Sequence, residues 1–312
     1  MKTVKYIMLS IVLLLVVTLT CGSFYMLDYS LSATHKGKDE KAAYNHIFEH
    51  PYMKQWVDSL NNVSALKDTF IVAEDGTRLH AYYIAAAHLT PKTAVIVHGY
   101  TDNAIRMFMI GHLYNHEMNY NVLLPDLRTH GKSDGKSIQM GWKDRLDVIR
   151  WINVAEGIYG DSARIVIHGI SMGAATIMMV SGEKLNKNVK CFVEDCGYTS
   201  VWDEFSQELK VRFNIPAFPL MYTTSWLCNL KYGWNFQEAS ALHQVEKCKL
   251  PMFFIHGDAD TYVPTRMVFP LYEAKSGKKE LWIVPGAKHA MSYWDKTNEY
   301  VKRVSRFVEK HI

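Results

Sequence analysis

Six short apolar runs, separated by stretches with helical spacing, constrain the fold of this chain more than any other feature of its sequence. From about residue 94 onward, the apolar residues alternate between the pattern of a buried strand and that of a helix. Strands that are apolar on both faces are typical of parallel sheets covered by helices on both sides. We therefore predict an α/β fold with a mostly parallel, doubly wound sheet. The six runs are 94–97, 121–124, 165–167, 191–193, 252–255 and 281–284.

The segment before these runs has a different organisation. Residues 69–73 and 79–84 are separated by a polar turn that contains Gly76, which predicts a β-hairpin. Residues 28–68 are charged and then amphipathic, with Ile47 and Trp56 among the apolar residues at helical spacing. We interpret 28–68 as a tether followed by one or two helices that dock on the domain. Helices are also predicted near 104–116, 142–156, 172–185, 265–275 and 292–311.

The N-terminus carries an uncharged segment, residues 6–27, after Lys2 and Lys5. At 1.5 Å per residue, this segment is long enough to cross a hydrocarbon core of about 30 Å. Residues 1–27 are predicted to be a transmembrane anchor, and the alternative is a signal segment cleaved near Phe24. The short tail before the segment favours a membrane-anchored chain whose main domain lies outside the cytoplasm. In the alternative, the domain is secreted after cleavage.

Composition excludes several classes of protein. The chain has 312 residues, of which 48% are hydrophobic and 21% charged, as in an ordinary globular protein. Its formal net charge is only +4, and it has no basic run interleaved with aromatic residues, so we expect no nucleic-acid partner. No His-Glu-X-X-His motif occurs, and no metal site is expected. Four cysteines outside the apolar segment are predicted to be buried free thiols, with disulfide pairs as the alternative: Cys191, Cys196, Cys228 and Cys248.

A Gly-X-Ser-X-Gly motif follows the third parallel run. Ligands of such sheets bind beyond the carboxyl ends of the strands, where Ser171 lies between Gly169 and Gly173. A strand that turns abruptly into a helix leaves no room for side chains beside the turn residue, and the two glycines remove them. Ser171 is therefore predicted to be a nucleophile that points into the crevice. The N–H of Met172, at the helix N-terminus, would face a developing negative oxygen.

A serine needs a base, and the base needs an orienting carboxylate. His289 follows the last parallel run and Asp260 follows the fifth. The chain order Ser171, Asp260, His289 is one of the orders in which nucleophile, acid and base occur in serine triads. Asp195, at the end of the fourth run, is an alternative acid, and Asp258 is a nearby carboxylate that we do not assign to the triad. A charged turn formed by Arg128, His130 and Asp134 is interpreted as structural.

Five motifs carry a resemblance to a known family: "VIVHGYTDN", "LLPDLRTHGKSDG", "VIHGISMGAAT", "FFIHGDADTYVP" and "VPGAKHAMSYW". Over residues 69–312 the chain resembles α/β-hydrolase-fold serine hydrolases of the membrane-anchored bacterial type, related to serine aminopeptidase-like and monoacylglycerol-lipase-like sequences. The resemblance implies that the N–H groups of Tyr100 and Met172 form the oxyanion hole and that Asp260 is the acid. It also implies that an insertion at about 199–248, rich in aromatic residues, is a cap over an acyl or aryl pocket.

These observations predict a serine hydrolase that cleaves carboxylic esters through an acyl-enzyme. Its partner is a small-molecule acyl substrate, and it needs no cofactor. An aminopeptidase or acyltransferase with the same triad is the alternative, and an aminopeptidase would use a carboxylate near the serine. A non-catalytic ligand receptor is a third hypothesis. The candidate carboxylates for the substrate amine are Glu194, Asp195, Asp203 and Glu204.

The predicted division of the chain has three parts. Residues 1–27 form the anchor or signal segment, 28–68 form the tether and docking helices, and 69–312 form the hydrolase domain with its cap. On this division we expect a chain that begins near Tyr29 to be soluble and active.

Overall fold

Eight strands form one sheet in the computed structural model, which describes residues 2–33 and 36–312. The strands are β1 (Leu66–Val72), β2 (Arg78–Ile84), β3 (Lys92–Val97), β4 (Asn121–Pro125), β5 (Arg164–Ile170), β6 (Val189–Asp195), β7 (Met252–Gly257) and β8 (Lys279–Val284). Their order across the sheet is β1-β2-β4-β3-β5-β6-β7-β8. The β1–β2 hairpin is antiparallel and β2 pairs antiparallel with β4, whereas β3 to β8 are mutually parallel. The predicted α/β-hydrolase fold is confirmed.

The first helices precede the sheet in chain order, and the others lie between its strands or after the last one. They are α1 (Lys2–Leu31), α2 (Glu40–Ile47), α3 (Pro51–Asn62), α4 (Phe108–His112), α5 (Asp144–Tyr159), α6 (Met172–Ser181), α7 (Val201–Phe213), α8 (Leu220–Tyr232), α9 (Ala241–Val245), α10 (Val268–Ala274), α11 (Ser292–Asp295) and α12 (Thr297–His311). Helix α4 continues as a π-helical turn, Leu113–Glu117. The region predicted as the cap, 199–248, holds α7, α8 and α9.

Alternating side chains of the strands build one core on each face of the sheet. On β3, Val95 and Val97 face the core that contains α5 and α6, whereas Ala94 and Ile96 face the core of α2, α3 and α12. Ile47 and Trp56 are buried in the second core, so α2 and α3 pack on the domain. Because both faces are covered, the central strands are apolar throughout their length.

Helix α1 extends further than the uncharged segment suggests. It is long and apolar enough to cross a membrane by length and composition. No glycine or proline follows Leu27 before residue 32, so nothing ends the helix at Asp28, and it continues to Leu31. Leu27 and Leu31 are buried in the same core as the cap. A chain that begins near Tyr29 would lack the buried side chain of Leu27, and the solubility and activity of such a chain stay a prediction.

The four cysteines outside α1 are free and buried in the structure. The prediction of buried thiols therefore agrees with the described residues. Burial raises the pKa of the Cys191 thiol to about 12, so it stays protonated at neutral pH.

The packing of α1 on the domain generates a stability prediction. Leu31→Ala should lower the free energy of unfolding by about 2–5 kcal/mol, because it leaves a cavity at a fully buried position. Leu89→Ala is the matched control, since Leu89 is fully exposed, and it should change stability by less than about 0.5 kcal/mol. Urea unfolding of the full chain in detergent micelles measures both. Equally small effects would contradict the docking of α1 on the domain.

Candidate active site

Ser171 occupies a sharp turn between β5 and α6. Its backbone has φ 58° and ψ −121°, a strained conformation for a residue with a side chain. A Cβ on Gly173 would lie 2.1 Å from the carbonyl oxygen of Val97, and a Cβ on Gly169 would lie 2.3 Å from the carbonyl oxygen of Gly173. Only glycine fits at these two positions, which is the steric reason for the motif that the sequence displays.

Three sequence-predicted residues come together at this turn. The Oγ of Ser171 lies 2.8 Å from Nε2 of His289, and Nδ1 of His289 lies 2.7 Å from Oδ2 of Asp260. A nucleophile, a base and an orienting carboxylate are therefore linked by hydrogen bonds in the order that acyl transfer requires.

The carboxylate of Asp260 is well satisfied by its surroundings. The N–H groups of Tyr262 and Val263 each donate to Oδ1 at 3.0 Å, and Nε2 of His256 lies 3.4 Å from Oδ2. Burial opposes ionisation, but the hydrogen bonds from His256 and His289 outweigh it, and the pKa of Asp260 lies below its usual range. Asp260 is therefore ionised at neutral pH. His256 is a neighbour that sequence reasoning missed, although it lies in the same motif.

The two alternative acids make different contacts. Asp195 accepts a hydrogen bond from the Ser292 hydroxyl at 3.1 Å, and burial raises its pKa to about 6. Asp258 accepts from the N–H of Gly286 at 2.7 Å and is exposed. Of the three aspartates, Asp260 is the one whose carboxylate is hydrogen-bonded to His289.

Two backbone N–H groups flank the serine. Met172 opens α6, where the first N–H groups have no partner inside the helix. The N–H of Tyr100 follows β3, next to Gly99, and it makes no hydrogen bond to another of the described residues. Gly99 approaches the serine so closely that a Cβ there would lie 3.8 Å from Oγ. Both predicted oxyanion donors are thus available beside the nucleophile.

The loop after β3 is held by two buried histidines. Nε2 of His130 accepts from the N–H of Thr101 at 3.2 Å, and Nδ1 donates to the Arg128 carbonyl at 2.7 Å. His98 likewise accepts from the N–H of Leu127 at 2.9 Å and donates to its neighbouring carbonyl. Burial lowers the pKa of His130 to about 3, so it is neutral and its Nε2 can accept. The charged turn is structural, as predicted, but it also orients the loop that carries Tyr100.

Arg128 completes this turn through ion pairs. Its guanidinium pairs with Asp147 at 2.5 Å and also with Asp75 in the hairpin. These contacts tie the loop after β4 to α5 and to the β1–β2 turn. Asp134 takes part through its backbone, with its N–H donating to the carbonyl of Arg78 at 2.8 Å.

A cavity of about 490 Å³ opens over Ser171, a size suited to a small organic ligand. Its wall is contributed by the sheet edge, by the cap helices α7 and α8, and by the C-terminal part of α1. Most lining side chains are apolar, and four of them are methionines, whose flexible thioethers adapt to different ligands. The apolar lining residues include Met26, Met140, Met172, Phe205, Leu209, Phe213, Met221, Phe236 and Val263.

One side of the cavity is polar. Glu204 lines it, is buried, and has an Oε2 atom without a hydrogen-bond partner among the described residues. Burial raises the pKa of Glu204 well above its usual value. Glu208, one turn further along α7, also lines the cavity and pairs with Arg212. Sequence reasoning selected Glu204 and missed Glu208, although an i,i+4 pair on one helix shares a face.

The other carboxylates that the sequence suggested do not line the cavity. Glu194 accepts from the N–H of Gly197 at 3.1 Å, beneath the nucleophile turn. Asp203 lies at the N-terminus of α7, where its carboxylate accepts from the hydroxyls of Thr199 and Ser200.

Among residues 2–33 and 36–312, two side-chain groups have the geometry to hold a metal ion. Cys196, Asp260 and His289 form one, but Asp260 and His289 are hydrogen-bonded to each other, and burial raises the pKa of the Cys196 thiol. His112, His116 and Glu117 form the other on the π-helical turn, and two of these three side chains are exposed.

Comparison with known proteins agrees with this arrangement. The family model of the prolyl oligopeptidase family matches residues 125–312. The chain is similar to the Bacillus subtilis protein YqkD, with 30% identity over 78% of this chain and 79% of that protein. It is also similar to YfhR of Escherichia coli K12, with 28% identity over 72% and 73% of the two chains.

Solved structures share the fold. The Pyrococcus furiosus esterase Pf2001 superposes with a TM-score of 0.66 and 27% identity, over 81% of this chain and 95% of that one. A predicted CIB-like hydrolase from Thermoplasma acidophilum superposes with a TM-score of 0.54 and 19% identity, over 79% and 99%, which supports the fold alone. The match of the family model to more than half of the sequence, together with the similarity to YqkD, shows that the chain is a hydrolase that belongs to the prolyl oligopeptidase family.

Proposed function

We propose that the chain is a membrane-anchored serine esterase that acts on carboxylic esters with an apolar acyl group. The observation that carries this proposal is the hydrogen-bonded series Ser171, His289 and Asp260, whose serine lines a largely apolar cavity. The similarity to an esterase of known structure supports ester cleavage in preference to other acyl transfers.

The mechanism follows from the positions of these groups. Ser171 Oγ attacks the ester carbonyl carbon while His289 Nε2 takes its proton. The N–H groups of Tyr100 and Met172 stabilise the oxyanion, and the ionised Asp260 stabilises the imidazolium through Nδ1. Collapse of the intermediate breaks the ester C–O bond, and the leaving alkoxide takes the proton from His289. Water, activated by the same histidine, then hydrolyses the acyl-enzyme and regenerates the Ser171 hydroxyl.

A substrate screen tests the reaction class. Hydrolysis of p-nitrophenyl esters of increasing acyl length is measured beside that of amino-acid arylamides, and we expect the esters to be preferred. Labelling of Ser171 by a fluorophosphonate probe separates an enzyme from a non-catalytic receptor. A folded protein that neither reacts with the probe nor cleaves any ester would contradict the proposal.

Substitutions of the three triad residues should lower kcat by different factors. Ser171→Ala and His289→Ala should each lower kcat for an ester by about 10⁶-fold, because the two residues act as one unit. Asp260→Asn should lower it on the order of 10⁴-fold, since the imidazole loses its orienting charge.

Asp195→Asn and Asp258→Asn are the controls for this comparison, because neither carboxylate is hydrogen-bonded to His289. They should cost far less, provided that circular dichroism shows folded protein. A severe loss in Asp195→Asn together with a mild loss in Asp260→Asn would reverse the assignment of the acid.

An aminopeptidase is the second candidate, favoured by the carboxyl groups of Glu204 and Glu208 in the cavity wall. A substrate ammonium could pair with Glu204 through Oε2, which has no partner among the described residues, because the cation would oppose the effect of burial and favour the ionised carboxylate. Glu204→Gln should then abolish cleavage of amino-acid arylamides while sparing p-nitrophenyl esters. On the esterase proposal, arylamide cleavage is slow in the wild type, and this substitution changes ester kcat/KM by less than about tenfold.

We also propose that α1 stays attached as a membrane anchor, with the catalytic domain outside the cytoplasm. Its exposed apolar side chains before residue 21 support this proposal. The full-length chain should stay with the membrane fraction after an alkaline carbonate wash, as detected by immunoblotting. Release by the wash, or a mature N-terminus near Phe24, would support a cleaved signal segment instead.

A further inference from the structure

Helix α1 makes two kinds of contact along its length. Up to about residue 20, nearly all of its side chains are exposed and most of them are apolar. Beyond that point it packs on cap helix α8: Ser23 Oγ donates to Thr223 Oγ1 at 2.7 Å, and Gly22 approaches Leu220 so closely that a Cβ would lie 3.2 Å from its Cδ1. Small residues at such a crossing allow two helices to approach closely.

The length of α1 determines the level in the bilayer at which α1 contacts α8. A span of about 30 Å takes about 20 residues, so a span that starts after Lys5 ends near Tyr25. Gly22 and Ser23, which touch α8, lie within its last turn. The N-terminal end of α8 therefore lies at the boundary between hydrocarbon and headgroups.

The outer face of α8 suits such a boundary. Phe218, Tyr222, Trp226 and Leu230, here called the cap patch, are 73%, 54%, 64% and 63% exposed. Tyr222, Trp226 and Leu230 follow each other at i,i+4 spacing and form one stripe beside the α8 face that touches α1. Trp and Tyr are enriched at membrane interfaces. In the surrounding stretch, 209–237, Arg212 pairs with Glu208, whereas Lys210 and Lys231 suit anionic headgroups.

The cavity over Ser171 reaches the same boundary. Met26 and Tyr29 of α1 form part of its wall, and the Tyr29 ring packs edge-on against Phe213 of the cap at 5.5 Å. The Ser30 carbonyl accepts from the Tyr100 hydroxyl at 2.9 Å, which ties α1 to the loop that carries the oxyanion donor. The anchor helix is thus a wall of the active-site cavity.

We propose that the cap patch lies in the bilayer interface and that the substrate is a lipid ester that resides in the bilayer, with one acyl chain passing along α1 to Ser171. The cap patch lies beside α1, a helix with the composition of a membrane span. We therefore expect lipid, and not a second copy of the chain, to cover the patch. This inference rests on the proposed esterase function. Water adds across the ester C–O bond, and the products are a fatty acid, which returns to the bilayer, and an alcohol.

Lipid contact at the cap patch is measured on the full chain in vesicles of phosphatidylcholine and phosphatidylglycerol. In a Cys21→Ser background, Trp226→Cys carries a bimane label and nitroxide-labelled lipid is the quencher. Leu89→Cys is the matched control, an exposed leucine in the loop that joins β2 to β3. We expect strong quenching at position 226 and little at position 89. Equal quenching at the two positions, or cross-linking of position 226 between two copies without quenching, would overturn the proposal.

Activity measurements separate this inference from the proposed function. Leu230→Glu should slow hydrolysis of a long-chain monoacyl ester embedded in the vesicles on the order of tenfold, because a charge opposes insertion of the cap patch. The same variant should hydrolyse water-soluble p-nitrophenyl acetate at the wild-type rate, and Leu89→Glu should change neither rate. An equal effect on both esters would contradict the proposal of a lipid substrate and leave the esterase proposal intact. A wild-type protein that cleaves neither ester, or that cleaves arylamides only, would contradict the esterase proposal.

Discussion

The contact between helix α6 and the end of strand β3 is the constraint on which the rest of the site depends. Gly173 lies so close to the Val97 carbonyl that a methyl group would push the helix away from the sheet. The same contact places the N–H of Met172 beside the loop of Tyr100 and forces Ser171 into its strained backbone conformation. One steric requirement therefore positions the nucleophile and an oxyanion donor together, which is why the strain at Ser171 is retained.

Around that contact, burial sets the protonation of the supporting groups. His98 and His130 are enclosed, burial lowers the pKa of each, and as neutral rings each can accept one hydrogen bond and donate another to the loops beside the serine. Asp260 is also largely buried, but it receives enough donors to remain ionised. The two histidines that hold the backbone of the loops are thus neutral. Asp260, which faces the imidazolium that forms during the reaction, is charged.

The sheet and the ends of its strands could be predicted from the sequence because apolar periodicity is local and parallel strands share one edge. That reasoning selected Ser171, Asp260 and His289, which the structure brings within hydrogen-bond distance. It did not predict which cap side chains face outward, because the rotation of α8 is set by contacts with α1. It also missed Glu208 and His256, although each has its partner four residues along the chain, because apolar periodicity does not show which polar side chains face the cavity or the acid. The sequence favoured Asp260 over Asp195 as the acid, and the contact with His289 is the geometric observation that distinguishes the two.

The hydrogen bond between Ser23 and Thr223 joins residues that are 200 positions apart. During synthesis, α1 leaves the ribosome long before the cap has been made, so the cavity lacks the wall formed by Met26 and Tyr29 until the cap has emerged. The hairpin, strands β3 to β6 and the nucleophile turn precede the cap in the chain, so they emerge before that wall is in place. The binding cavity is therefore completed late in synthesis. Its completion requires that α1 has been inserted where the cap can pack on it.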